Sequence, residues 1–310
     1  MGRKLTIVII GLPLFAKRLA NELSIYDPKG RYIALDTYYS TKDKILALWW
    51  IRKADLVFSI NGSIDTSKIF DYTLKLGKPL VMNWVGTDVI TAKNKYETKK
   101  IREDYVKNAL HLCEVDWIKQ ELLEIGIDAK ISNFATFNKV YQIEESFHNH
   151  FAVLNYIPED RKSFYGIDLY VELAKRNPSI HFYIAGCVAN EHKFPDNIFP
   201  LGWVSDMNEL YNKVQVCLRI PEHDGLSTFV LEGLARGKQV IYKYDYPNVI
   251  HLADLSEIDF KLKELQAKWL DKKSLINVEG MKFISEHFNT DYILSNLLSL
   301  FSDVIANKYD

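Results

Sequence analysis

From Leu5 to Asn133 the chain alternates short apolar runs, rich in β-branched residues, with amphipathic stretches of helical period. The runs 5–10, 31–35, 55–60, 79–84, 109–113 and 129–133 predict strands, and stretches such as 44–52 and 67–76 predict the helices between them. Strict alternation of this kind builds a parallel sheet through crossover helices. A run as continuous as Thr6-Ile-Val-Ile-Ile10 suits a strand covered on both faces, because neither face then meets water.

Between Phe134 and His150 the period is lost and the chain turns polar, which reads as a linker region. A second alternating series follows, with strands expected at 151–156, 181–185, 214–220 and 239–242 and helices at 167–176, 206–213 and 227–236. The expected fold class is therefore α/β, with two Rossmann-like doubly wound domains facing a central cleft. Residues 1–148 form the first domain and 149–290 the second, and an apolar helix at about 291–310 packs back on the first. In this architecture ligands bind outside the carboxyl ends of the strands.

At 310 residues the chain exceeds one ordinary domain. Its 39 basic and 40 acidic side chains cancel, so no global positive field recruits nucleic acid. Cys113, Cys187 and Cys217 are odd in number and lack C-x-x-C spacing, which argues for a reducing, cytoplasmic setting without disulfides or zinc. Arg3 and Lys4 before an apolar run imitate a signal peptide, but Gly11 and Pro13 split the run and Lys17 and Arg18 follow it.

One segment, 93–107, is locally basic through Lys93, Lys95, Lys99, Lys100, Arg102 and Lys107. Such a face suits either peripheral contact with the inner face of a membrane or, since Glu97, Glu103 and Asp104 interrupt it, plain solvation. Trp49 and Trp50, beside Ile45, Leu46 and Leu48, read as core or as an inter-domain contact. His148 and His150 lack further ligands nearby, so no metal site is expected. Neither a G-x-G-x-x-G after Ile10 nor a P-loop occurs, which removes the main motif support for dinucleotide or P-loop chemistry.

The window 218–241 concentrates the chemistry. A strand ends before Pro221, a loop presents Asp224 and Gly225, Ser227 stands at a helix start, Gly237 ends the helix and a strand follows. Gly225 lets backbone come close to a ligand, and the N–H groups of the helix start suit an anion such as a diphosphate. Glu232 lies within that helix among Phe229, Leu231, Leu234 and Ala235, where a carboxylate needs hydrogen-bond donors such as a sugar diol.

Here the sequence resembles the retaining nucleotide-sugar glycosyltransferases of GT-B fold, the large family 4 group. Their signature is two acids separated by seven residues, followed by a small-residue helix and Gly-x-Pro-Val-Ile. Asp224 and Glu232 have that spacing, followed by Gly-Leu-Ala-Arg-Gly-Lys-Gln-Val-Ile. Three further fragments occur in the family's order: Phe164-Tyr-Gly-Ile-Asp168, Ile184-Ala-Gly186, and Pro200-Leu-Gly-Trp-Val204 with 206–211.

The resemblance implies donor-binding roles. Glu232 would hold the ribose hydroxyls, and Asp224 with Gly225, Leu226 and Ser227 would face the sugar and diphosphate. Gly202, Trp203 and Val204 would read the base, and Gly11 would approach the diphosphate. The cations that grip the leaving group would be Arg161 and Lys162, although Tyr165 stands where the family has Lys; His223 or Arg219 are substitutes. Gly86, Thr87 and Asp88 are acceptor-side candidates, with a tight turn capping a helix as the other reading.

Two departures are plain: the first acid is Asp rather than Glu, and Val85 replaces the family's His. The implied activity is transfer of a sugar, with retention, from a nucleotide diphosphate sugar (UDP or GDP) to a sugar, lipid-linked or polysaccharide acceptor, with no cofactor or metal required. An epimerase of the same fold and a non-catalytic nucleotide-sugar-binding subunit are the alternatives.

Overall fold

The computed structural model describes residues 4–137, 141, 150–188, 194–252 and 254–307. The chain divides into two compact units, one of Met1–Thr136, Asp224–Leu226 and Thr290–Asp310, the other of Phe137–His223 and Ser227–Asn289. The expected domain boundary at 148 and most of the expected linker lie outside the described residues.

In the first unit six strands form one parallel sheet: β1 (Thr6–Gly11), β2 (Arg31–Ala34), β3 (Leu56–Ile60), β4 (Leu80–Trp84), β5 (Ala109–Cys113) and β6 (Lys130–Ile131), in the order β2-β1-β3-β4-β5-β6. Period-two alternation sends Ile7 and Ile9 into one core and Val8 and Ile10 into another. Helices Pro13–Tyr26 and Thr290–Ala306 cover the first face through Leu19, Leu23, Leu294, Leu297 and Phe301. Helices Thr41–Lys53 and Lys68–Lys75 cover the second through Ala47, Ile51 and Phe70. Ser40 and Ser67 start these two helices by accepting the N–H of Asp43 and Phe70, one orphan donor each.

The second unit repeats the plan with β7 (Ala152–Tyr156), β8 (His181–Ala185), β9 (Ile198–Pro200), β10 (Val216–Arg219), β11 (Gln239–Tyr242) and β12 (Ile250–His251), in the order β12-β11-β10-β7-β8-β9, all parallel. This is the classical Rossmann order, with the direction of winding reversing between β7 and β10. Helices Ile167–Arg176 and Leu255–Leu270 close one face through Tyr170, Leu173, Ile258 and Leu262.

Helix Thr228–Ala235 ends in a Schellman motif: Gly237 at φ +64° donates to Leu234 O at 2.9 Å, and Lys238 to Gly233 O at 2.9 Å. The strands β9 and β12 and the helices Leu255–Leu270 and Val278–His287 were not expected from the sequence. Trp49, expected in a core or at an inter-domain contact, is 48% exposed, because only Ala47 and Ile51 of its helix face the sheet fully. Among the described residues no helix is long and apolar enough to cross a membrane.

Candidate functional site

Ligands of doubly wound sheets bind outside the carboxyl ends of the strands where the winding reverses. In the second unit that point lies between Tyr156, the last residue of β7, and Arg219, the last of β10. Arg219 bridges them: its Nη1 donates to Tyr156 O at 3.3 Å. The guanidinium, although buried, lies over the Tyr165 ring at 4.5 Å. Arg219 lies within the expected strand 214–220, as the last residue of β10.

Arg161 stands on the same aromatic support, 4.1 Å from the Phe164 ring and 5.5 Å from that of Tyr165. Lys162 is turned elsewhere, in an ion pair with Glu159 at 2.5 Å, and Glu159 also accepts Val188 N–H at 2.8 Å. That pair engages one of the three N–H donors of Lys162. Lys243 Nζ donates to Glu222 O at 2.6 Å in the loop that carries His223.

Glu232 lies in the second turn of helix Thr228–Ala235, half-buried. Its Oε2 accepts the phenol of Tyr211 at 3.0 Å. Burial, reinforced by the neighbouring Glu232 charge, raises the Tyr211 pKa well above its ordinary value and keeps the phenol a donor. The need for a donor at this carboxylate, inferred from the sequence, is thus met in part from within the protein. Arg236, one turn later, does not neutralise the carboxylate. It donates to the Glu232 carbonyl at 3.1 Å and to Asn208 Oδ1 at 2.8 Å, and stacks on Tyr211 at 4.3 Å and Tyr141 at 4.0 Å.

Ser227 is the N-cap of this helix, but the expected side-chain cap is absent: its carbonyl accepts Leu231 N–H at 3.1 Å and its hydroxyl makes no capping bond. The turn that carries Gly202, Trp203 and Val204 is pinned at Gly202 (φ +63°), which exchanges backbone bonds with Gly186 and Cys187 at 2.7 and 2.8 Å. Trp203 itself is 81% exposed.

In the first unit, Gly11 ends β1 where the winding of that sheet reverses toward β3. It has φ +100°, and a Cβ there would lie 2.2 Å from Ile60 O, so the neighbouring strand alone accounts for the glycine. After β4, Asp88 binds backbone rather than pointing outward. It accepts from Gly62 N at 2.7 Å, Gly86 N at 2.8 Å, and Val85 N and Val89 N at 3.1 Å. Burial raises its pKa, opposed by these backbone donors.

Asp88 thus ties the turn through backbone bonds, while Thr87 opens helix Thr87–Glu97. Gly86 (φ +133°) lies against the loop Asp224–Leu226: a Cβ on it would stand 2.6 Å from Gly225 N, and one on Gly225 would stand 2.1 Å from Val85 O. The approach that Gly225 allows is here filled by the chain itself. Trp117 Nε1 fixes the loop by donating to Asp224 O at 2.9 Å.

The structure thus gathers Glu232, Tyr211, Arg236 and Asn208 into one network, and Arg161 and Arg219 around one ring. Tyr211, Arg236 and Trp117 were not singled out from sequence. Arg236 carried a usable signal, four residues after Glu232 on the same helix face.

No protein-family model matches the chain, and no curated protein matches it in sequence. Solved structures match it over nearly its whole length. Anabaena HepE in complex with UDP-glucose aligns at TM-score 0.71 and 12% identity, covering 96% of this chain and 100% of that one. A sucrose-phosphate synthase from Thermosynechococcus elongatus aligns at 0.71 and 12%, over 98% and 100%, and a glycosyltransferase from Rickettsia africae ESF-5 at 0.69 and 13%, over 99% and 100%. The fold is that of the GT-B glycosyltransferases, two Rossmann-like units with parallel six-stranded sheets.

Proposed function

We propose that this chain is a glycosyltransferase that moves a sugar from a nucleotide diphosphate sugar to a hydroxyl acceptor with retention of configuration. The observation that carries the reading is Glu232, a half-buried carboxylate with one oxygen hydrogen-bonded to Tyr211, on the helix that follows the switch-point strand. A carboxylate has capacity for further donors, and the vicinal hydroxyls of a ribose supply two. Asp224 and Gly225 to Ser227 then border the sugar and diphosphate, and Gly202 to Val204 border the base. Gly11 belongs beside the diphosphate, and Gly86 and Thr87 on the acceptor side.

In the reaction the bond from the anomeric carbon to the phosphate oxygen breaks, the acceptor oxygen takes its place, and the acceptor proton leaves with the diphosphate. The growing negative charge needs preorganised donors. Arg219 and Arg161 are the guanidinium groups at the carboxyl ends of β10 and β7 that fit this role, and the N–H groups at the start of helix Thr228–Ala235 add to it. UDP-glucose, bound by the HepE structure, is the first donor to test.

Thermal shift of the full chain against UDP, GDP, ADP, CMP, dTDP and UDP-glucose is the direct test. A ligand at about 100 times its dissociation constant adds roughly 2.7 kcal/mol, several degrees for domains of this size. The expected result is one responding base whose shift disappears in Glu232→Ala. No response to any nucleotide, or an unaltered response in Glu232→Ala, overturns the reading. Nucleotide release that depends on an added acceptor separates transfer from an epimerase and from a non-catalytic binding subunit.

A further inference from the structure

Helix Thr41–Lys53 presents an outer surface that, among the described residues, no neighbouring element covers. Ile45 is 66% and Trp49 48% exposed, with Leu46 and Leu48 open beside them. At 100° per residue these four fall within one arc, opposite Ala47 and Ile51, which are buried. The same arc holds three cations, Lys42, Arg52 and Lys53, all exposed, and no acid. Lys53 Nζ lies 3.4 Å from the centre of the Trp49 ring and Arg52 lies over Tyr72, so their stems run along apolar surface.

The nearby carboxylates are turned toward backbone: Asp43 accepts from Asp36 N at 3.0 Å, and Asp36 from Tyr38 N and Tyr39 N at 3.0 and 2.9 Å. Tyr39, at the entry to the helix, is 85% exposed.

This differs from the basic segment 93–107. There Lys93 pairs with Glu124 at 2.8 Å, Lys95 with Asp65 at 2.6 Å, Arg102 with Asp71 and Asp104 at 2.7 Å, and Lys107 with Glu103 at 2.8 Å. Its field is largely cancelled. Among the described residues no ion pair involves Lys42, Arg52 or Lys53.

We infer that the outer face of helix Thr41–Lys53 docks this protein onto a bilayer surface bearing anionic headgroups. Trp, Ile and Leu side chains framed by Lys and Arg, on a helix without outward acids, are the signature of a helix lying in a membrane interface. A second copy of the chain fits poorly, because a two-fold contact sets the same residues against each other and brings like charges together. The inference does not depend on the donor chemistry above, and its readout involves no nucleotide.

The test is co-sedimentation of the full chain with vesicles of phosphatidylcholine and phosphatidylglycerol in equal parts, against phosphatidylcholine alone. The chain is expected to pellet with the anionic vesicles, at least tenfold less with the neutral ones, and less as salt rises. Ile45→Ser with Trp49→Ser should weaken binding more than tenfold without lowering the melting temperature. Lys42→Gln with Lys53→Gln should weaken it roughly fivefold per charge removed, and Lys93→Gln with Lys107→Gln should leave it unchanged. Failure of the wild-type chain to bind anionic vesicles overturns the inference. So does binding that survives Ile45→Ser with Trp49→Ser, or a loss of self-association in that variant without any vesicle binding.

Discussion

Glu114 follows β5 directly, and its buried carboxyl accepts the backbone N–H of Phe134 while Oε1 has no partner. Burial pushes its pKa up from an ordinary 4.5 to about 8. Between those values the unfolded chain has already released the proton that the folded chain still holds. Stability therefore falls as pH rises through that window. Glu114→Gln removes the titration at nearly constant volume. The variant should match the wild type near pH 5 and exceed it by about 1 to 3 kcal/mol at pH 8.5. Urea unfolding at the two pH values checks this, and a difference independent of pH refutes it.

Single residues were legible in the sequence where spacing spoke for them. Glu232 stood out because it lies eight residues after Asp224 and within an apolar helix. Its partner Tyr211 did not, since a hydrogen bond spanning 21 residues leaves no periodic trace. Asp88 shows the converse. Its place at a strand end was visible, but its bond to Gly62, 26 residues earlier, could come only from the sheet register.

The turn after β4 and the loop Asp224–Leu226 meet backbone to backbone, with Gly86 and Gly225 as the two small residues that allow it. A methyl group on Gly225 would meet a carbonyl, which cannot swing aside as a side-chain tip can. Gly225→Ala should cost about 1 to 3 kcal/mol, as overpacking does, and reduce nucleotide-dependent activity beyond what that loss explains. Comparing kcat with the unfolding midpoint separates the two effects.

Three strands were read to the residue. The expected 109–113, 181–185 and 239–242 coincide with β5, β8 and β11. Of the edge strands, β2 and β6 fall within the expected 31–35 and 129–133, whereas β9 and β12, with three and two residues, show no period of their own. The core reading of Trp49 failed because a helix with apolar residues around most of its circumference does not announce which side meets the sheet. Packing decided it.

Each of the two six-stranded parallel sheets packs its own core residues, and one core of the first sheet is built from distant parts of the chain. Phe301 is fully buried there, its ring 5.2 Å from that of Phe58. Phe301→Ala should cost about 3 to 5 kcal/mol. Because Leu19, Leu23 and Leu297 share its cluster, the loss should appear as earlier unfolding of the first unit. Amide hydrogen exchange, read strand by strand, is the check: faster exchange in β1 and β3 with β7 and β10 unaffected is the expected pattern, and uniform acceleration contradicts it.

The helix Thr290–Ala306 that carries Phe301 has a consequence for how the protein is made. A ribosome adding about 5 to 20 residues per second delivers β1 on the order of tens of seconds before Leu294, Leu297 and Phe301 emerge. Throughout that interval one face of the first sheet lacks part of its cover, while the second unit, all of it translated by Asn289, already has every strand it needs. Newly made chains thus complete their later half before their earlier one, and the nascent first sheet is the part that a chaperone would have to shield.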